Sequence, residues 1–172
     1  NALAAAGIAR AADVELTDIR NSIITFRPGR HRIEIVLEKD GISWVNDSKA
    51  TNPHAALTSI LACNRAIWIA GGLAKGASMT ELVARAKPRI KHALLIGTDR
   101  DLIATELKKH GLTYDYIDGE PVMAKVISRA LELAAEGDTV LLAPACASMD
   151  QFKSYADRGD QFVAQIHEQV KS

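Results

Sequence analysis

Three short apolar runs, 66–72 (AIWIAGG), 92–97 (HALLIG) and 139–144 (TVLLAP), recur along the chain with amphipathic segments between them. An uninterrupted apolar run of this length suits a strand buried on both faces. Strands of that kind, alternating with helices, predict a mostly parallel sheet with helices on both sides. The intervening segments supply the helices. Asn52-Pro53 places a capping side chain and a proline at a helix start, and that helix runs to about residue 62. Residues 79–86 and 121–135 are helical, Thr98 or Asp99 caps a further helix, and 114–117 is a shorter strand. From Ser148 to the C-terminus the pattern is helical, with a break near Gly159.

Ahead of this unit the pattern differs. Residues 1–12 are Ala-rich and helical, and 18–25 make a second short helix. FRPGRHR at 26–32 reads as a turn or linker. Next, 32–38 (RIEIVLE) alternates as a half-buried strand, and 42–46 (ISWVN) follows a turn at 39–41, so the two predict a hairpin. The fold class is therefore α/β, a Rossmann-like, mostly parallel doubly wound sheet with an N-terminal hairpin strand. A chain that opens without Met inside an apolar helix reads as a piece whose missing part lies upstream.

Charge narrows the function classes. Lys plus Arg number 21 and Asp plus Glu number 21, so a non-specific nucleic-acid or membrane surface has no electrostatic support. No apolar run approaches the ~20 residues that span a bilayer. Cys63 and Cys146 lie far apart with no His or Cys at metal-ligand spacing, which predicts a reduced, cytoplasmic protein. Among small apolar neighbours, Cys146 reads as a buried, inert thiol. Apart from His31 in the linker, the histidines read as solvated surface.

In doubly wound sheets ligands bind at the carboxyl ends of the strands. That rule singles out the loops at 46–52, 71–78 and 144–151. In the first, Asp47 suits a ribose hydroxyl or a metal-bound water, Lys49 a phosphate, and Thr51 a carboxylate; capping by Thr51 and Asn52 plus a surface ion pair is the plainer alternative. In the second, Gly71-Gly72-Leu73-Ala74-Lys75-Gly76 departs from the phosphate-cradling pattern. Lys75 reaches an anion there or is simply solvated. In the third, Ser148 with Gln151 matches a capping box, and a helix start at that edge is also an anion site.

DSKATNP at 47–53, GGLAKG at 71–76 and LAPACASMDQFKSYADRGDQF at 142–162 together resemble the Mur ligase family of peptidoglycan synthesis, in particular its D-glutamate-adding branch. The likeness covers nearly the whole chain. It implies residues 1–27 as the tail of a central ATP-binding domain and 28–172 as the C-terminal domain. The implied reaction joins the carboxylate of UDP-N-acetylmuramoyl-L-alanine to the amine of D-glutamate, after ATP phosphorylates that carboxylate. By resemblance, Lys75 pairs with a D-glutamate carboxylate, Thr51 contacts the same substrate, Ser148 holds the other carboxylate, and Tyr155 is an aromatic beside them. Lys75 and Lys49 are the implied catalytic residues. Arg32, Asp47 and Lys49 fall on the nucleotide side, Asn1 faces the adenine, and His31 is a hinge residue. Ala74 stands where relatives often carry Asp. The phosphate loop, the Mg2+ ligands and the UDP site are implied to lie upstream, in the remainder of the same chain, so this piece alone is expected to be inactive. A stand-alone ligand-binding or regulatory module, and a sister ligase for another amino acid, are the competing readings.

Overall fold

The structure, a computed structural model, describes residues 2–26 and 29–171. Two helices come first, α1 (Ala2–Ala11) and α2 (Leu16–Thr25). After the linker, β1 (Glu34–Lys39) and β2 (Ile42–Asn46) form the expected antiparallel hairpin. Then α3 (Pro53–Leu61), β3 (Ala66–Gly71), α4 (Thr80–Ala86), β4 (Ile90–Ile96), α5 (Arg100–Lys109), β5 (Tyr114–Tyr116), α6 (Val122–Leu133), β6 (Thr139–Leu142) and α7 (Tyr155–Gln169) follow. The sheet order is β1-β2-β6-β3-β4-β5, parallel throughout except for the hairpin.

Side-chain alternation explains the uninterrupted apolar runs. Along β3, Trp68 and Ala70 enter one core with α3, α4 and α5. Ile67 and Ile69 enter the other, with α6 and α7. Both faces of the strand are covered, so no position is left for a polar residue. The Trp68 indole stays satisfied by donating to the Ala143 carbonyl at 2.7 Å.

Two helix expectations need correction. The helix expected from Ser148 begins instead at Tyr155. Residues 148–154 form turns, with the Ser148 carbonyl accepting from the N–H groups of Gln151 and Phe152. The capping side chain is Ser154, which accepts from the Asp157 N–H, while the Asp157 carboxylate accepts from the Lys153 N–H. No break occurs at Gly159. The glycine is there because the His31 ring lies against it, where a Cβ would overlap that ring. His92 is also not a solvated side chain: it lies 2.8 Å from Thr113 Oγ1 and 3.1 Å from the Asp115 carboxylate.

At the amino ends of the parallel strands, Asp138 ties neighbouring strands together. Its buried carboxylate accepts from Arg65, from Lys91 at 2.6 Å and from the Ala135 N–H at 2.8 Å. Burial pushes its carboxyl upward, but the bonds from Lys91, Ala135 and Arg65 outweigh burial and hold it below the usual range. A depressed folded-state value stabilises the fold above the unfolded carboxylate pKa and is lost as pH falls through the folded one. Asp138→Asn is therefore expected to lower stability by about 2 kcal/mol at neutral pH, since its two cationic partners are partly solvated. The gap to the parent protein should shrink below about pH 4. Thermal melts of both proteins between pH 3 and 7 check this, and a pH-independent gap would contradict it.

Candidate functional site

The parallel strands β2, β6, β3 and β4 all end at one edge, so their loops meet there. Backbone bonds knit the three loops singled out in the sequence. The Asp47 N–H donates to Leu142, Ala145 to Ala50, and Gly71 to Pro144. Leu73 and Ala147 exchange bonds as an isolated antiparallel bridge. The glycine loop thus lies against the segment that carries Ser148.

Lys75 sits two residues past that bridge, exposed, with φ of 51°. Among the described residues its ammonium has no ion pair or hydrogen bond. Ala74 is buried, and its N–H donates to the Asp99 carboxylate at 2.8 Å. Asp99, from the turn after β4, anchors the loop through its backbone, and its carboxylate makes no ion pair with Lys75. Ser148 is buried and Thr51 half-buried. The helix behind Thr51 is capped by Asn52, whose side chain accepts from the Ala55 N–H at 3.0 Å, so Thr51 is not needed as the cap.

Asp47 is only 5% exposed. One carboxylate oxygen accepts from the Ile33 N–H and the other from the Ser59 hydroxyl. Burial raises its pKa, opposed by Ser59, Ile33 and Arg32. The expected surface ion pair is not formed: Lys49 is exposed, with its ammonium 5.5 Å from the centroid of the Tyr155 ring. The other neighbour of that ring is His31, edge-on at 6.3 Å. Tyr155 therefore stands beside Lys49. His31 is buried; its Nδ1 accepts from Asn46 at 2.9 Å, and its Nε2 lies 3.7 Å from the Asp160 carboxylate. Arg32 is exposed. Asn1, expected to face adenine, lies outside the described residues, as do Arg27 and Pro28 in the linker. Cys146 is fully buried, and burial pushes its thiol up to about 12, so it is the inert thiol expected.

Arg158 is the residue that motif reading passed over. Its side chain is fully buried, 0% exposed. Nε donates to the Ser48 hydroxyl and Nη2 to the Ser48 carbonyl, both at 2.9 Å, and Nη1 to the Cys146 carbonyl at 3.2 Å. A signal existed: residues 158, 162 and 166 recur every four positions on the buried stripe of α7, and one of them is charged.

The carboxyl edge of this doubly wound α/β sheet carries Arg32, Lys49 and Lys75, each exposed on its loops, which are cations of the kind an anionic ligand would need. Residues 31–146 match a family model described as "Mur ligase, glutamate ligase domain". The chain belongs to the Mur ligase family. It is 44% identical to the UDP-N-acetylmuramoylalanine--D-glutamate ligase of Mycobacterium avium, over 99% of this chain and 41% of that protein. It is 48% identical to the enzyme of the same name from Streptomyces coelicolor, over 98% of this chain and 36% of that protein. The chain thus spans well under half the length of these relatives. A crystal structure of UDP-N-acetylmuramate-alanine ligase from Thermotoga maritima matches 97% of this chain and 37% of that one, with a TM-score of 0.68 at 15% identity, which supports the fold.

Proposed function

We propose that this chain is the C-terminal domain of an ATP-dependent ligase that joins D-glutamate to UDP-N-acetylmuramoyl-L-alanine, and that it supplies the D-glutamate site and part of the ATP site. The observation that carries this reading is the Leu73–Ala147 bridge, which brings the loop of the unpaired Lys75 against the segment of Ser148. A dicarboxylate needs two separated anion contacts. Lys75 suits one as a point charge, and the Ser148 hydroxyl with Thr51 suits the other. Tyr155, whose ring lies beside Lys49, is the aromatic assigned to the site.

On the nucleotide side, Lys49 and Arg32 offer exposed cations, and Asp47 fixes the backbone at Ile33, next to Arg32. These groups fit polyphosphate, and ATP would supply the phosphoryl group that activates the substrate carboxylate. Among the described residues no group of three His, Cys, Asp or Glu side chains could hold a metal ion. By the resemblance to the ligase family, the magnesium ligands are assigned to the part of the ligase outside this chain. Residues 1–27 are assigned to the preceding central domain. In support, α1 and α2 bury none of their residues, and Leu3 and Ile8 are 90% and 73% exposed. A cytoplasmic location suits a nucleotide-linked substrate; among the described residues no helix is long and apolar enough to cross a membrane.

The test is an NMR titration of this chain with D-glutamate, with L-glutamate as the control. Amide shifts at Lys75, Thr51 and Ser148 with the D-isomer alone are expected. Absence of a D-selective shift both here and in a full-length protein carrying this domain would overturn the reading.

A further inference from the structure

The buried guanidinium of Arg158 has no role in the reading above. Its three acceptors are all neutral: one hydroxyl and two backbone carbonyls. Among the described residues it forms no ion pair. A buried cation whose direct acceptors are all neutral is costly; burial lowers its pKa to about 10, opposed by Cys146 and Asp150, which leaves it charged at neutral pH. Rigidity alone would be served by an apolar side chain on the same stripe as Phe162 and Ile166.

What an apolar residue cannot do is bind two loops at once. The guanidinium is a rigid planar fork, and here two of its nitrogens engage Ser48 while the third reaches Cys146. The Ser48 hydroxyl in turn donates to the Tyr155 carbonyl at 2.7 Å, one turn earlier on the same helix. This closes a ring through α7, the 46–52 loop and the 144–151 loop. Lys49 follows Ser48 directly. Ala147 follows Cys146 and forms the bridge to Leu73 that sets the Lys75 loop.

We propose that Arg158 is a positioning residue: its fork fixes the spacing between the loop carrying Lys49 and Thr51 and the loop carrying Ser148. This rests on the reading of those loops as nucleotide-side and amino-acid-side groups of one ligase site.

Two variants in a full-length ligase test it. Arg158→Lys keeps the charge but loses the fork, and Ser48→Ala removes one acceptor and the link to Tyr155. Both should melt cooperatively within several degrees of the parent. Well below the melting range, Arg158→Lys should lose about 100-fold in kcat, the size of effect that a misplacement of roughly 1 Å produces. Ser48→Ala should lose less, in the same direction. Unchanged kcat and KM values with only a lowered melting temperature would reduce Arg158 to a structural residue and overturn the proposal.

Lys75→Ala, assayed alongside, separates the two ideas. If it leaves the kinetics intact while Arg158→Lys lowers kcat, the amino-acid loop is misassigned and the positioning role stands. NMR of Arg158→Lys in this chain adds a readout independent of turnover. Amide shifts are expected in both 47–51 and 145–148, and a response confined to one segment would count against a coupling fork.

Discussion

Lys75→Ala in a full-length ligase carrying this domain is expected to raise the KM for D-glutamate by about 10- to 100-fold and to change kcat little. Lys75 sits on a loop whose backbone is held by the Leu73–Ala147 bridge and by the bond from the Ala74 N–H to Asp99, so the placement of the loop does not depend on the ligand. No protein carboxylate competes for it among the described residues. A hydrogen bond to a charged group is worth about 1.5–3 kcal/mol, and each 1.4 kcal/mol is tenfold in affinity. Lys75 is an exposed loop residue that the proposal places on a carboxylate of D-glutamate and not on the reacting amine. Its loss should therefore weaken ground state and transition state alike, which raises KM and spares kcat. Its exposure also means that folding should be untouched. Steady-state kinetics with D-glutamate and ATP varied separately check this, and the KM for ATP should stay near the parent value. An unchanged KM for D-glutamate would remove Lys75 from the amino-acid site.

How much of this was legible follows from where each feature is encoded. The runs at 66–72, 92–97 and 139–144 gave three strands because burial on both faces leaves a local signature, a stretch without polar residues. The carboxyl-edge rule then located the loops, because parallel strands must end together. Placing the start of the last helix failed for a different reason. Ser148 with Gln151 reads locally as a cap, whereas the structure caps α7 with Ser154. The bridge between Leu73 and Ala147 lies just before Ser148, and that contact links residues far apart in sequence. Gly159 misled in the same way: locally it reads as a helix breaker, whereas its missing side chain makes room for His31. Arg158 was hidden because an arginine on a helix is ordinarily solvated, and only its place on the Phe162–Ile166 stripe marked it as buried.

The glycine loop also carries the second large effect, on stability and site together. Gly72 has φ of 125°, where L side chains are rarely found, and a Cβ there would overlap the backbone carbonyl of Ala147. No rotamer change relieves an overlap with backbone. Gly72→Ala must therefore move the 71–73 strand end away from 146–148, which breaks the exchange of bonds between Leu73 and Ala147. Backbone strain of about 1–3 kcal/mol adds to the lost bonds, so a total near 4 kcal/mol is expected, a large share of a typical 5–15 kcal/mol fold. For a chain of this size that corresponds to a melting point lower by about 8–16 °C. The residual folded protein should also lose D-glutamate-selective shifts at Ser148 and Lys75, since the bridge is what places the two loops together. Ala5→Gly on α1, distant in sequence from the bridge, is the control and should leave those shifts in place. A Gly72→Ala protein that melts like the parent and keeps both shifts would show that the bridge neither holds the fold nor builds the site.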